Sequence, residues 1–151
     1  MHIEIQDAVD CAHLPTQEKI EKWLAEAEKN LPDKNNLDDM ELTIRIIDKD
    51  ESAYLNSTYR HKKGPTNVLS FPDTPLPGFL ADSLGDLAIC ADLVAEEAQE
   101  QQKSVEAHWA HLIIHGFLHL LGYDHEKDDE AEIMENLEIQ ILQNLGFKNP
   151  Y

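Results

Sequence analysis

The run His115-Gly116-Phe117-Leu118-His119-Leu120-Leu121-Gly122-Tyr123-Asp124-His125 decides how this chain is read. At about 100° per helical residue, His115 and His119 lie about 40° apart on one helix face, one turn from each other. Two imidazoles so placed can chelate one metal ion. Gly122 suits a left-handed residue that ends the helix and turns the chain, so that His125 returns as a third ligand. Three histidines with a fourth position open describe a catalytic zinc site better than a structural one, which four protein ligands would close. Five of the eight histidines fall between positions 108 and 125, where even scattering would put about one. The competing reading is a set of ordinary histidines on an amphipathic helix.

Outward from this run, His108 and His111 extend the same stripe backwards and read as walls of the site or supports of its ligands. A pair of partly buried polar residues is the plainer alternative. Asp124 is placed to orient a ligand imidazole or to sit solvated in the turn. A zinc protease of the HExxH type carries a general-base glutamate beside the first histidine, and here that position is Gly116. A peptidase of that mechanism is disfavoured, and the glycine is expected to leave room for a bulky substrate near the metal.

The flanking sequence gives the scaffold. Ile3 and Ile5 alternate as in a short strand, and Met40, Leu42, Ile44 and Ile46 alternate strictly. Ile20, Trp23, Leu24, Ala27 and Leu31 follow helical spacing and stop near Pro32. Asp48 caps a short helix ending around Thr58 to Arg60. Asn67 to Phe71 and Leu84 to Cys90 read as the third and fourth strands, separated by a loop with Pro72, Pro75, Pro77 and Gly78. Helix is expected from Asp92 to about Leu121, broken near Lys103 with Ser104 as a new N-cap. A last helix carries Ile133, Met134, Leu137, Ile141 and Leu145 and stops at Gly146. Four strands early and helices late make the class α+β, in one domain over residues 1–151.

Composition sets the boundary conditions. Thirty Asp+Glu against twelve Lys+Arg give a formal net charge of -18, which argues against nucleic-acid binding through bulk positive charge and against docking on anionic membranes. A polyanion would have to be gripped locally. Arg60-His61-Lys62-Lys63 holds three of the twelve Lys+Arg in four residues. Its arginine fork suits bidentate phosphate contact, although a ligand-free basic loop is an equally open reading. From Asp124 to Glu138 eight acids stand against Lys127, most simply a solvated helix face turned away from substrate. The start of the chain lacks a secretory signal, and no apolar run is long enough to span a membrane. Cys11 and Cys90 read as reduced, so the expected compartment is the cytoplasm.

The His115–His125 run resembles the signature of the YbeY family of bacterial ribosomal-RNA maturation factors. Tyr59-Arg60, Thr66-Asn67-Val68-Leu69-Ser70-Phe71-Pro72 and Gly85-Asp86 resemble its other motifs in the same order. The resemblance spans nearly the whole chain. It implies a zincin-like fold and a metal, zinc or another divalent ion, on His115, His119 and His125. It also implies single-strand-specific endoribonuclease activity with Arg60 and His115 essential. The expected role is maturation of the small-subunit rRNA 3′ end and ribosome quality control, with ribosomal RNA and the ribosome or its proteins as partners, and neither DNA nor membrane. Two other functions stay open: a ribosome-assembly factor with a structural metal, and a metallopeptidase.

Overall fold

The computed structural model describes residues 1–32, 37–73, 77 and 82–151. Four strands and five helices follow in the order β1 (His2–Asp7), α1 (Gln17–Lys29), β2 (Glu41–Ile47), α2 (Lys49–Arg60), β3 (Val68–Pro72), β4 (Ser83–Cys90), α3 (Ala91–Glu100), α4 (Val105–Leu120) and α5 (Asp128–Asn144). The sheet order is β1-β2-β4-β3. β1, β2 and β4 run parallel, and β3 pairs antiparallel with β4. The mixed sheet and the helix count match the α+β expectation. Of the proline loop, Pro75 and Gly78 lie outside the described residues.

Local signals account for most boundaries. Thr16, Asp48 and Ser104 accept hydrogen bonds from the backbone N–H of Lys19, Glu51 and Ala107, caps worth about 1 kcal/mol each. Gln102, at φ 54°, separates α3 from α4, so the break falls where Lys103 and Ser104 suggest it. Gly122 (φ 100°) and Gly146 (φ 90°) follow α4 and α5 in the left-handed region.

Alternation along β2 and β4 feeds two cores. Leu42, Ile44, Ile46, Leu87 and Ile89 join the main one with Ile20 and Leu24 of α1, Ile113 and Phe117 of α4, and Met134 and Ile141 of α5. Ile47, Leu69, Ala88 and Cys90 form a smaller one, covered by Leu55 of α2 and Leu93 of α3. α4 is the central helix. Ten of its sixteen residues are buried, and beyond its first turn the ones left accessible are His111, His115 and His119.

Two expectations are corrected. Ile133 is 59% exposed; the buried stripe of α5 is Met134, Glu138, Ile141 and Leu142. Gly116 opens no space for substrate, because a Cβ there would lie 2.8 Å from Leu87 Cδ2 and 3.4 Å from Val68 Cγ2. The glycine lets α4 approach the sheet.

Candidate metal centre

The last turn of α4 and the turn after it bring the three histidines together. His115 Nε2 and His119 Nε2 are 3.0 Å apart. The ring of His125 lies 5.6 Å from that of His115 and 5.0 Å from that of His119. One ligand atom from each of the three falls within 4.8 Å of the others. A tetrahedral zinc with Zn–N bonds of about 2.0–2.1 Å separates its nitrogens by roughly 3.3 Å, so the donor set fits a divalent metal with adjustments of a few tenths of an ångström at the closest pair. Burial first, then the neighbouring His115 and His125, lowers the pKa of His119. That keeps its imidazole neutral, as metal binding requires.

The return of His125 depends on the turn. Gly122 N–H and Tyr123 N–H donate to the carbonyls of His119 and Leu118. Asp124 Oδ1 accepts from the backbone N–H of His125 at 2.7 Å, whereas the His125 ring nitrogen Nδ1 is 3.9 Å away. Asp124 therefore fixes the backbone of His125 more than its imidazole.

Behind the site lies a residue that sequence reasoning missed. Glu138 was counted with the solvated acids of the last helix, but its side chain is fully buried. Its Oε1 takes the hydrogen bond of His115 Nδ1, and its Oε2 accepts from the Tyr151 hydroxyl and from His111 Nε2 at 3.3 Å. Burial would raise its pKa; the hydrogen bonds that His111, His115 and Tyr151 direct at the carboxylate outweigh this and hold it at about 2. Tyr151 moves the other way, raised by burial and by Glu138. The overlooked signal was positional: Glu138 lies four residues after Met134 and three before Ile141, on the apolar stripe of α5. His111, Glu138 and His115 form a second group with metal-ligand spacing, but there the carboxylate is already engaged by three donors.

His108 is buried and pairs with Glu97 Oε1 at 2.8 Å through Nε2. Burial lowers its pKa against the opposing pull of Glu97. Below about pH 6.5 the unfolded chain binds this proton before the folded one does, so His108 removes stability as pH falls through that window. Denaturation midpoints at pH 7.5 and 5.5 should differ less in His108→Gln than in the parent protein.

Arg60 is tied through Ser70 to the helix of the histidines. Its guanidinium donates to the Ser70 carbonyl and lies 5.9 Å from the Phe71 ring centroid. Ser70 Oγ in turn donates to the Gly116 carbonyl at 3.4 Å, next to His115. The basic turn that follows is held from beneath by buried residues. Ser52 bonds both the N–H and the C=O of Thr66, and Asn56 Nδ2 donates to the Gly64 carbonyl at 2.9 Å. Lys19, Lys29, Arg45 and Lys49 are all paired with carboxylates. Among the described residues, no carboxylate pairs with Arg60, Lys62 or Lys63.

A mixed four-stranded sheet whose central helix and following turn gather three histidines able to hold a metal defines a zincin-like fold, one in which a glycine stands where HExxH proteases carry their glutamate. The family model described as endoribonuclease YbeY matches residues 3–146, and the chain belongs to the YbeY endoribonuclease family. The YbeY endoribonucleases of Coxiella burnetii strains Dugway 5J108-111 and RSA 493 / Nine Mile phase I are each 61% identical over 150 residues, covering 99% of this chain and 97% of theirs. The solution structure of TM1509 from Thermotoga maritima is similar with a TM-score of 0.57 at 25% identity, covering 95% of this chain and 91% of that one. The family and fold expectations from the sequence stand.

Proposed function

We propose that residues 1–151 form a single zinc-dependent endoribonuclease domain that cleaves single-stranded ribosomal RNA during maturation of the small-subunit 3′ end and in ribosome quality control. The observation that carries this reading is the cationic cluster from Arg60 to Lys63, which among the described residues pairs with no carboxylate and is linked through Ser70 to the helix of the three histidines. His115, His119 and His125 hold the metal, which when bound supplies Lewis acidity toward a phosphoryl oxygen and an ionisable water near neutral pH. Arg60 binds the scissile phosphate. One of its five N–H donors is spent on Ser70, a contact that orients the fork and leaves the others for phosphoryl oxygens. Tyr59, 57% exposed beside it, offers an aromatic surface to an unpaired base.

The peptidase reading meets a second obstacle in β3. Asn67 O accepts from Cys90 N–H and Asp73 N–H donates to Leu84 O, so odd residues face β4 and Val68, Ser70 and Pro72 face outward. Val68 N–H is taken by Asn67 Oδ1, the Ser70 carbonyl by Arg60, and Pro72 has no N–H. A peptide added as a further strand needs those groups free.

The cytoplasm is the compartment we assign, with the ribosome or its proteins as partners. Among the described residues no helix is long and apolar enough to cross a membrane. The exposed acids of α5, Asp128, Asp129, Glu132 and Glu135, suit contact with basic ribosomal proteins and favour a second reading as an assembly factor whose metal is structural. Arg60→Ala separates the two. Cleavage of single-stranded RNA should fall roughly 10²–10³-fold while bound metal stays at the parent level. Unchanged cleavage removes Arg60 from the mechanism, and full rRNA maturation in cells by a folded, cleavage-dead variant favours the assembly role.

A further inference from the structure

We propose that Glu138 is the positioning residue of the metal centre, selecting which histidines of α4 become ligands and which nitrogen of His115 faces the metal. The inference rests on the metal reading of His115, His119 and His125. His111, His115 and His119 recur every four residues along one helix face, so helical spacing alone lets His111 and His115 form the chelating pair as well as His115 and His119. Glu138 removes the ambiguity.

Three donor-capable groups converge on the two oxygens of Glu138, and a carboxylate oxygen takes the acceptor's part in each bond. His115 Nδ1 must therefore carry the proton that it shares with Oε1, and its lone pair is left on Nε2, the atom 3.0 Å from His119 Nε2. His111 meets the same carboxylate through Nε2, which commits that nitrogen as a donor and turns it away from a metal. Tyr151 donates its hydroxyl to Oε2 and fixes the carboxylate from the third side. Full burial of Glu138 means that no water competes for these bonds, so the ring of His115 is set before any metal arrives. A carboxylate behind a ligand imidazole also increases the basicity of the metal-facing nitrogen.

The test uses the full chain and two readouts. In metal-free parent protein, the ¹⁵N shifts of the His115 ring should report the Nδ1–H tautomer; an Nε2–H or evenly mixed tautomer overturns the proposal without needing any variant. In Glu138→Gln, zinc affinity measured by chelator competition should fall about 10–100-fold, and the His115 tautomer should become mixed. A folded Glu138→Gln protein with parental zinc affinity and tautomer also overturns it. Parent protein that binds no zinc overturns the metal reading instead, and the tautomer measurement still judges the hold of Glu138 on His115.

Discussion

His119→Ala protein should retain no stoichiometric zinc, and its cleavage of single-stranded RNA should drop on the order of 10³-fold or more. A member of a cooperating unit costs about as much to remove as the unit itself. The three imidazoles form a compact triangle, in which the His119 ring is 4.5 Å from that of His115 and 5.0 Å from that of His125. With it gone, a helical ligand is left with an exposed one from the following turn, a weak pair for an ion that favours four-coordination. The fold should survive, because the apolar sides of α4 are held by Trp109, Ile113, Ile114 and Phe117 and His119 is only half-buried. Bound zinc measured after gel filtration, together with a thermal melt, separates loss of metal from loss of structure. Full cleavage by metal-free His119→Ala protein would end the metal-hydrolase reading.

Gly85→Ala should be the most destabilising small substitution in the sheet. Gly85 has φ 129°, and a Cβ there would stand 2.2 Å from the Phe71 carbonyl oxygen and 2.9 Å from Asp73 N. Both are backbone atoms of the β3 side, so relief requires parting β3 from β4. We expect a loss of about 3 kcal/mol or more, read as a shift of the urea midpoint. Activity should fall in parallel, because the displaced strand carries Ser70 and Phe71, the two anchors of Arg60. Gly116→Ala makes the contrast: its clash is with the end of the Leu87 side chain, which can rotate, so its cost should lie nearer 1–3 kcal/mol. Equal midpoints for parent and Gly85→Ala proteins would show that the strand pair yields more easily than its geometry implies.

The parts of the fold with a strong period or an unambiguous cap were legible from sequence. β2 alternates, α1 repeats with helical spacing, Ser104 starts α4 and Gly122 ends it, and the meeting of His115, His119 and His125 follows from that turn. What escaped was a matter of partners. Glu138 is an acid among acids, and only the neighbours on its helix face reveal that it must be buried; its bond to His115 spans 23 positions of chain. Gly116 invites a functional explanation because it fills a catalytic position in other zinc proteins, yet the nearness of Leu87 across the helix–sheet contact accounts for it. Arg60 was visible as a cation, but the Ser70 and Gly116 links that join it to the metal helix are tertiary. Ile133 was placed on the wrong side because apolar character on a helix does not by itself fix the direction of the core.

The partly occupied outer edge of β3 also bears on how the protein behaves at high concentration. A bare strand at the end of a sheet is where copies of a chain adhere and begin to aggregate. Here the Val68 N–H is taken by Asn67 and the Ser70 carbonyl by Arg60, and Pro72 has no N–H to offer, so the ladder a second copy would need is interrupted at each outward-facing residue. The Arg60 side chain thus also guards this edge against self-association. Variants that strip it carry a colloidal penalty as well as a chemical one, and their preparations should be checked for oligomers before a low turnover is ascribed to the active site.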